Sequence, residues 1–299
     1  MHGGAWKVPR ALEDPASVSA AREGLRAALE AGRNLLVAGE PALEAVTAAV
    51  RVLEDCRALN AGTGSVLNAA GAVELDAALM EGTARRAGAV TGVRRLVNPI
   101  EAARAVLQDG RHVLLAGHGA EHFARDAGIA LVAPEVLIAA ARKPSDAHLS
   151  EPAAGRDAEG TVGAVARDAR GGLAAATSTG GTPGKLPGRV SDSALVGGGT
   201  WADDETCAVS ATGDGDVFIR VAFARAVDAR MRFAGCNLAA ACAAALAEVA
   251  ALGGSGGCIA VDRAGEVALA FNATGMLRGL VRAGEAPRVA VRPEDFLES

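Results

Sequence analysis

Apolar positions recur with helical spacing in the first part of the chain. In SVSAAREGLRAALEAG, Val18, Leu25 and Leu29 fall on one face of a helix that Gly32 is expected to end. The same spacing in PALEAVTAAVRVLED and NPIEAARAVLQDG predicts two more helices. The pattern therefore predicts a helical layer built mainly from alanine, valine and leucine.

A period of two dominates the second half of the chain. TVGAVARD and LAAATST flank a turn at ARGG, and CIAVDRAGEVALAFN turns at DRAG, so each pair of segments predicts a β-hairpin. ETCAVSATG predicts another strand, and helices are predicted in VFIRVAFARAVDARM and LAAACAAALAEVAAL. We also expect a hairpin around Gly64–Asp76 and a short buried strand in HVLLAG. Hairpins indicate antiparallel sheets that helical layers would cover.

One stretch without periodicity separates these regions. Residues 143–160 carry Pro144, Pro152 and Gly155 and end at Gly160, so we predict an exposed loop or linker. Thr161 follows directly and begins an apolar strand. Neither half of the chain has a full sheet of its own, so we predict a single domain over residues 1–299.

Composition narrows the classes of function. The net charge is −5 with both signs interspersed, and aromatic residues make up only 3% of the chain, which argues against nucleic acid as the main partner. No apolar run approaches the ~18–20 residues that span a bilayer. The first residues, MHGGAWKVPRALEDP, do not resemble a secretory signal. The five cysteines form no C-x-x-C pair and are expected to be reduced and mostly buried. We therefore expect a cytoplasmic protein.

The junction between Gly160 and Thr161 is the first candidate for chemistry. A threonine hydroxyl is a weak nucleophile unless a base stands beside it. Cleavage before Thr161 would free its own α-amino group, whose reference pKa of ~7.7–8.0 suits a general base near neutral pH. Gly160 lacks a Cβ and lets the hydroxyl approach its carbonyl. The alternative is a threonine that simply begins a strand, for which β-propensity suffices.

Three further segments carry groups that such a nucleophile would need. The hairpin brings TSTGG, and with it Thr179, toward Thr161. In LPGRVSDS, a guanidinium at Arg189 and a carboxylate at Asp192 could hold the two charged ends of an amino acid, or simply pair with each other. In SATGDGD, Thr212 and the backbone N–H of Gly213 could form an oxyanion hole, or only a glycine-rich turn.

Two other motifs have simpler interpretations. His118 and His122 have the i, i+4 spacing of a metal site, but no third ligand stands out, so we predict ordinary histidines on a helix. LGGSGG at Gly253–Gly257 lacks the Lys-Ser/Thr ending of a phosphate-binding loop, and a tight loop before a strand is the better interpretation.

Taken together and in order, these segments resemble one known family. HGGAWKVP, LNAGTGSVLN, VELDAALMEG, NPIEAAR, GTVGAVARD, AAATSTGG, KLPGRVSDSALVGGG, SATGDGDVFIR and LGGSGG are similar to the plant-type asparaginases, also called isoaspartyl aminopeptidases, among the N-terminal nucleophile hydrolases. The resemblance covers nearly the whole chain. It implies an α+β fold, an αββα sandwich of four layers, and self-cleavage into an α chain 1–160 and a β chain 161–299 that assemble as a dimer of αβ units.

The resemblance also implies roles for single residues. Thr161 would be the nucleophile and Thr179 would position its hydroxyl, while Arg189 and Asp192 would hold the α-carboxylate and the α-amino group of the substrate. Thr212 and Gly213 would form the oxyanion hole, and the remaining implied residues are Asn60 near that hole and Gly3 and Gly4 beside the cleavage site.

No cofactor is implied for catalysis, but a structural sodium ion is. The resemblance implies a loop whose backbone carbonyl oxygens wrap the ion, contributed by Leu53, Glu54, Cys56, Leu59, Ala61 and Thr63. The implied substrates are L-asparagine and β-aspartyl dipeptides, with L-aspartate released. A glycosylasparaginase-type amidase and a non-catalytic module that binds a small ligand remain as alternatives.

Three positions depart from the family pattern. Ser191 precedes Asp192 where the family usually has glycine, and Asp216 stands where a glutamate is usual. Trp6 replaces a usual glycine. The shorter carboxylate at Asp216 is expected to alter contacts around the substrate site.

Overall fold

The computed structural model describes residues 1–6, 15–141, 160–292 and 295. The predicted linker at 143–160 lies outside the described residues apart from Gly160. The helices of the described part are α1 (Pro15–Val37), α2 (Ala42–Asp55), α3 (Pro99–Asp109), α4 (Gly117–Asp126), α5 (Pro134–Ala140), α6 (Gly215–Arg220), α7 (Phe223–Ala234) and α8 (Leu238–Ala251).

The strands form two sheets. They are β1 (His2–Trp6), β2 (Leu75–Glu81), β3 (Ala87–Val93), β4 (Leu114–Ala116), β5 (Val162–Arg167), β6 (Leu173–Thr179), β7 (Thr200–Ala202), β8 (Cys207–Gly213), β9 (Gly256–Asp262), β10 (Val267–Phe271), β11 (Gly275–Leu280) and β12 (Arg288–Ala290). The larger sheet has the order β12-β11-β1-β5-β6-β2-β3-β4 and the smaller one β10-β9-β8-β7.

Strands from both sides of the Gly160–Thr161 junction mix in the larger sheet. β1 pairs antiparallel with β11 on one side and β5 on the other, and β6 pairs antiparallel with β2. Only β4 runs parallel to its neighbour β3 among the strand pairs described. The sheet therefore could not be completed by either part of the chain alone.

Helices cover the outer face of each sheet. α2 packs on β5 and β6 and α3 packs on β2 and β3, while α7 and α8 cover the smaller sheet. The inner faces of the two sheets meet where β5 and β6 contact β8. The predicted αββα sandwich is confirmed.

Each layer boundary has its own apolar core. Leu25, Val46 and Ile100 belong to the cluster beneath the first helices, and Phe218 and Phe223 belong to the cluster beneath α7 and α8. Burying one such side chain contributes ~1.5–3 kcal/mol relative to leaving it exposed. Between the sheets the cluster consists mainly of alanines with a few larger residues, which lets the two sheets approach closely.

The hairpin predicted around Gly64–Asp76 is wrong. The structure has a short 3₁₀ turn at Gly62–Gly64 followed by an irregular segment up to the start of β2. Asn68 Oδ1 accepts hydrogen bonds from the backbone N–H groups of Ala70 and Ala72. Side chains thus satisfy backbone groups that a partner strand would have paired.

Three smaller differences concern element bounds. α1 runs past Gly32 to Val37, because its packing on α2 outweighs the ~1 kcal/mol that a glycine costs inside a helix. The strand in HVLLAG is β4, an edge strand with Leu114 exposed rather than a buried one. The helix predicted in VFIRVAFARAVDARM is divided into α6 and α7 at Ala222, whose φ is 47°.

Candidate functional site

Thr161 stands one residue before β5, and the register of the sheet places it beside Thr179. Val162 pairs with Ser178 in the β5–β6 hairpin. The Thr161 hydroxyl donates to Thr179 Oγ1 at 3.2 Å, and the same oxygen accepts the backbone N–H of Gly181 at 2.9 Å. The Thr161 proton therefore points at Thr179, which leaves the lone pairs of the Thr161 oxygen facing away from that contact.

Thr212, near the end of β8, holds the backbone on the other side of Thr161. Its Oγ1 accepts from the N–H of Thr161 at 3.3 Å and from the N–H of Ala5 at 3.2 Å. These two bonds use both lone pairs, so the Thr212 hydroxyl is left to act as a donor. Gly213 follows with φ of +145°, and a Cβ there would lie 2.5 Å from Gly256 Cα. The position therefore requires glycine.

Gly160 packs against the glycine loop at the start of the chain. A Cβ at Gly160 would lie 2.8 Å from the carbonyl oxygen of Gly3 and 2.9 Å from Cα of Gly4. Gly4 itself has φ of +116°, and a Cβ there would collide with Gly160 Cα. The two segments approach this closely only because both positions lack side chains.

Asn60 supports the cleft from behind. Its Nδ2 donates to the carbonyl oxygen of Gly181 at 2.7 Å, and its Oδ1 accepts the N–H of Val66 at 3.1 Å. Its backbone carbonyl accepts the N–H of Gly180 at 3.0 Å. Asn60 therefore fixes the turn whose N–H group contacts Thr179.

Arg189 and Asp192 lie on one wall of the cleft but do not form a hydrogen-bonded pair with each other in the described structure. Arg189 Nη2 instead donates to Asp216 Oδ2 at 3.0 Å. The Arg189 side chain is only 15% exposed, whereas that of Asp216 is 76% exposed. Asp216, which departs from the family pattern, thus contacts the arginine expected to bind substrate.

Asp192 is a buried carboxylate with an unsatisfied oxygen. Burial raises its pKa to about 7, although the nearby Arg189 guanidinium acts in the opposite direction. Its Oδ2 has no hydrogen-bond partner among the described residues. A buried acceptor of this kind is costly to the protein alone and suits a cationic ligand.

Two acidic residues anchor the loop that carries Arg189 and Asp192. Asp76 Oδ2 accepts the N–H of Ser191 at 2.8 Å, and Glu74 Oε2 accepts the N–H of Gly188 at 3.1 Å. These contacts were not predicted from the sequence. The signal available in the sequence was the pair of acidic residues in VELD, at the start of a strand that is otherwise mainly apolar.

These side chains line one narrow cleft. Its lining residues are Gly160, Thr161, Thr179, Gly181, Thr182, Arg189, Ser191, Asp192, Thr212 and Gly213. The cleft contains hydroxyl, guanidinium and carboxylate groups next to a peptide bond that precedes a threonine. Such a set can attack a carbonyl, stabilise the oxyanion and hold a zwitterion.

A second polar group lies beneath Thr161 and was missed in the sequence. His2 Nδ1 lies 2.9 Å from the carbonyl oxygen of Thr161, and His2 Nε2 lies 2.9 Å from Ser210 Oγ. Ser210 in turn contacts Thr177. The available signal was polar residues at i and i+2 in two strands, Ser210 before Thr212 and Thr177 before Thr179, which places each pair on one face.

Backbone carbonyl groups converge on the loop expected to bind sodium. A Cβ at Gly62 would collide with the carbonyl oxygen of Glu54, and one at Gly64 would collide with that of Leu59 and lie 2.7 Å from that of Arg57. Glycine at positions 62 and 64 lets these carbonyl oxygens approach the turn so closely. The arrangement fits a small hard cation, which prefers oxygen ligands.

The carbonyl oxygens of Leu53, Cys56 and Ala61 are also expected ligands, and they accept hydrogen bonds within the same loop from the N–H groups of Cys56, Leu59 and Gly64. Thr63 donates its hydroxyl to the Glu54 carbonyl at 3.1 Å. A carbonyl oxygen has two lone pairs and can therefore bind an ion while it accepts a hydrogen bond.

The Glu54 side chain connects this loop to β6. Its Oε1 accepts from Ser178 Oγ at 2.6 Å and from the N–H of Ile100 at 3.1 Å. Burial raises the pKa of Glu54 well above its ordinary value, against the opposing effect of the Ser178 bond. Ser178 is adjacent to Thr179, so the loop and the candidate nucleophile's partner are mechanically coupled.

The remaining motifs show no chemistry of their own. His118 and His122 lie on α4 with their rings 6.2 Å apart, and His118 contacts Glu121. No cluster of three or more His, Cys, Asp or Glu side chains suited to a metal occurs in the described parts of the chain. LGGSGG is the turn that leads into β9, as predicted. Of the helices that the structure describes, none combines the length and apolar character needed to cross a bilayer.

The fold and the cleft together define an N-terminal nucleophile hydrolase. The asparaginase family model matches residues 1–291, so the chain belongs to that family. It is 46% identical to the isoaspartyl peptidase of Escherichia coli strain K12, over 98% of this chain and 95% of that protein. It is 45% identical to the isoaspartyl peptidase of Salmonella typhimurium, over 98% of each chain. An isoaspartyl peptidase/L-asparaginase of Xenopus laevis is 40% identical over 92% of this chain and 89% of its own length.

Proposed function

We propose that this protein is a self-processing threonine hydrolase that cleaves β-aspartyl dipeptides and L-asparagine and releases L-aspartate. One observation carries the proposal: Thr161, Thr179, Arg189, Asp192 and Thr212 line a single cleft together with the bond to be cut. The names of the related proteins give the same class of substrate.

The first reaction is maturation. The Thr161 hydroxyl attacks the carbonyl carbon of Gly160, the peptide C–N bond breaks, and the acyl group moves to oxygen as an ester while the hydroxyl proton ends on the Thr161 nitrogen. Water then hydrolyses the ester, so Gly160 gains a carboxylate and Thr161 regains its hydroxyl with a free α-amino group. The products are a chain of residues 1–160 and a chain of residues 161–299. Support comes from the close packing of Gly160 against Gly4, which fixes the backbone next to the bond that would be cut.

The second reaction is turnover. The freed amine of Thr161 takes the hydroxyl proton, and the oxygen attacks the side-chain carbonyl of the substrate. The Thr212 hydroxyl and the Gly213 N–H stabilise the oxyanion, and the amine passes its proton to the departing ammonia or peptide amine. Water then hydrolyses the acyl-enzyme ester and releases aspartate. The role of Thr212 is supported because two N–H groups occupy both lone pairs of its hydroxyl oxygen, which leaves the hydroxyl hydrogen to donate to the oxyanion.

Arg189 and Asp192 select the substrate. Arg189 binds the α-carboxylate through charge-assisted hydrogen bonds, and Asp192 accepts from the α-ammonium group. The unsatisfied Oδ2 of Asp192 supports this role, because a cation bound there would compensate the buried carboxylate. Both charged groups belong to an aspartyl unit with a free amino end, which the enzyme therefore requires.

The chemistry needs no cofactor, because all proton transfers use Thr161. A sodium ion would be held by the carbonyl oxygens of Leu53, Glu54, Cys56, Leu59, Ala61 and Thr63. It would fix the loop that carries Asn60 and would take no part in bond breaking.

We also propose a dimer of αβ units in the cytoplasm. α8 supports the dimer, since its exposed positions are alanines apart from Glu248, and a helix that is apolar all round is usually buried. The cytoplasmic location is supported by Cys207, Cys236, Cys242 and Cys258, which are free thiols.

Two other functions give different experimental results. A glycosylasparaginase-type amidase would release aspartate from glycosylated asparagine faster than from β-Asp-Leu. A ligand-binding module would bind aspartate without being cut. No feature of the cleft favours a glycan. A site that only bound a ligand would not require Thr161 to follow Gly160.

The decisive experiment combines mass, N-terminal sequence and activity. We expect the purified protein to separate under denaturing conditions into two fragments, the second beginning at Thr161, and to hydrolyse β-Asp-Leu. Thr161→Ala should remain a single 29.8 kDa chain with turnover at least roughly 10³-fold lower. Thr161→Ser is the matched control, since it retains a hydroxyl. An intact chain with full activity, or an active Thr161→Ala variant, would contradict the proposal.

A further inference from the structure

A continuous line of hydrogen bonds runs from the backbone of Thr161 into the space between the sheets. His2 Nδ1 lies 2.9 Å from the Thr161 carbonyl oxygen and His2 Nε2 lies 2.9 Å from Ser210 Oγ. Ser210 Oγ lies 2.8 Å from Thr177 Oγ1, which lies 2.6 Å from Thr200 Oγ1. The line therefore joins β1, β6, β7 and β8 to the candidate nucleophile.

The carbonyl at one end fixes the direction of every proton in the line. A carbonyl oxygen can only accept, so Nδ1 of His2 must carry the hydrogen and Nε2 must accept from Ser210. Ser210 then has no second hydrogen to give, so Thr177 donates to it and Thr200 donates to Thr177. The contacts to the carbonyls of Ser193 and Gly199, at 3.2 and 3.4 Å, are the longer alternatives for these last two hydroxyls.

The surroundings keep His2 neutral and in place. The side chains of His2, Ser210, Thr177 and Thr200 are fully buried. Burial, the largest effect, and the nearby terminal ammonium lower the pKa of His2 to about 3, although the bond to the Thr161 carbonyl acts in the other direction. Gly163 provides the space, because a Cβ there would collide with Ser210 Oγ and lie 2.5 Å from His2 Nε2.

We propose that His2 is a positioning residue, whose Nδ1–H holds the Thr161 carbonyl and so orients the amine and hydroxyl of the nucleophile. The proposal rests on the proposed function. Before cleavage, Thr161 is held by its hydroxyl to Thr179, its N–H to Thr212 and its carbonyl to His2. Cleavage frees the N-terminal side of Thr161, and His2 then lies on the α chain while Thr161 begins the β chain. The His2 bond becomes a contact between chains that replaces part of the lost covalent constraint.

Two substitutions separate this role from simple packing. In His2→Asn the side-chain amide lies near the position of Nδ1 and can still donate to the Thr161 carbonyl. In His2→Gln the amide lies near the position of Nε2 and can reach Ser210 but not the carbonyl. We expect kcat for β-Asp-Leu to fall less than about 10-fold in His2→Asn and about 100-fold in His2→Gln, since small misplacements of reacting groups can have effects of that size.

The Michaelis constant distinguishes positioning from a damaged cleft. Arg189 and Asp192 bind the substrate and do not contact His2 in the described structure, so KM should change less than about threefold in both variants. Equal kcat values in His2→Asn and His2→Gln, or a loss confined to KM, would overturn the proposal.

A measurement on the unsubstituted protein does not depend on either variant folding or on activity. With ¹⁵N-labelled histidine, the His2 imidazole is the signal that is absent from the spectrum of His2→Asn or shifted in that of Ser210→Ala. In the unsubstituted protein it should be the neutral Nδ1–H form throughout pH 5–9. An Nε2–H form at that histidine would overturn the proposal. If His2 has the expected form but β-Asp-Leu is not hydrolysed, the proposed function fails while the assignment of the hydrogen-bond line stands.

Discussion

Arg189 donates to Asp216 at 3.0 Å, so the arginine assigned to the substrate carboxylate already contacts a carboxylate of the protein. The Asp216 side chain is 76% exposed, and an exposed ion pair contributes at most ~1 kcal/mol. A substrate carboxylate can therefore displace or share this contact at small cost.

Neutralising Asp216 should strengthen substrate binding. In Asp216→Asn the side chain still accepts a hydrogen bond from Arg189 but no longer competes as a charge, so we expect KM for β-Asp-Leu to fall about two- to fivefold with kcat unchanged. Asp216→Glu keeps the charge and serves as the control. Steady-state kinetics test both. A higher KM in Asp216→Asn would mean that Asp216 holds Arg189 in position rather than competing for it.

A free α-ammonium group and a free α-carboxylate group on the aspartyl unit should be essential for hydrolysis. N-acetylation of β-Asp-Leu removes the ammonium that Asp192 accepts from, and a buried carboxylate without its partner is costly, so we expect kcat/KM to fall at least roughly 100-fold. Arg189→Lys should lower kcat/KM for the unmodified dipeptide about 10- to 100-fold, because one ammonium cannot replace the guanidinium fork. Comparable rates on acetylated and free dipeptides would contradict the assigned roles.

Asp192 should also cost the protein stability at neutral and alkaline pH. Its pKa is raised from 3.8 to about 7, so between these values the folded state binds a proton that the unfolded state has released. The stability from this group is present below about pH 4 and is lost as pH rises through 7. Asp192→Asn should therefore raise Tm by several degrees at pH 8 and much less at pH 4, while abolishing turnover.

The control for that measurement is a surface aspartate. Asp126 is exposed and pairs with the neighbouring Arg125, so Asp126→Asn should change Tm little at either pH. Scanning calorimetry at the two pH values is sufficient. A Tm for Asp192→Asn that is equally raised or lowered at both pH values would show that the carboxylate is not under the strain described.

Local pattern was enough to predict most helices and hairpins. The β5–β6 and β9–β10 hairpins follow from alternating residues around glycine-containing turns, which are local signals. The insertion of β1 between β11 and β5 could not be predicted this way, because pairing between distant strands depends on the whole fold. The hairpin predicted before β2 is wrong for a related reason. Amide side chains such as Asn68 satisfy the backbone there in place of a partner strand, and an alternating pattern does not reveal that.

The site residues also fall into two groups, those that a local motif predicts and those that it does not. The residues that line the cleft stand in recognisable motifs, so the resemblance identified Thr161, Thr179, Arg189 and Asp192 before any geometry was known. Residues that act through others have no local signature of that kind. His2 contacts Thr161 across 159 positions of sequence, and Asp76 holds Ser191 across 115.

As the pH falls, two ionisations should lower kcat/KM, whereas only one should lower kcat. In the free enzyme both Asp192 and the Thr161 amine must lose a proton, and kcat/KM reports the free enzyme. Once substrate is bound, its ammonium keeps Asp192 ionised, so kcat should report the amine alone. We therefore expect kcat/KM to fall tenfold per pH unit just below about 7 to 8 and about 100-fold per unit at lower pH, and kcat to fall tenfold per unit throughout. Profiles with a single ionisation in both parameters would show that Asp192 is already charged in the empty cleft.

Replacing Gly4 should block maturation without unfolding the chain. A Cβ at Gly4 would collide with Gly160 Cα, and φ at Gly4 is +116°, so Gly4→Ala must push the two segments apart and move the Gly160 carbonyl away from the Thr161 hydroxyl. We expect self-cleavage to slow at least roughly 100-fold, as misplacement of reacting groups does elsewhere. Gly71→Ala is the matched control, because Gly71 also has positive φ, +73°, but no atom lies within 4 Å of its Cβ position. Fragment masses followed over time distinguish the variants: equal processing in both would mean that the contact between Gly4 and Gly160 does not hold the bond for attack, whereas slow processing in Gly4→Ala alone would assign that task to the glycine loop.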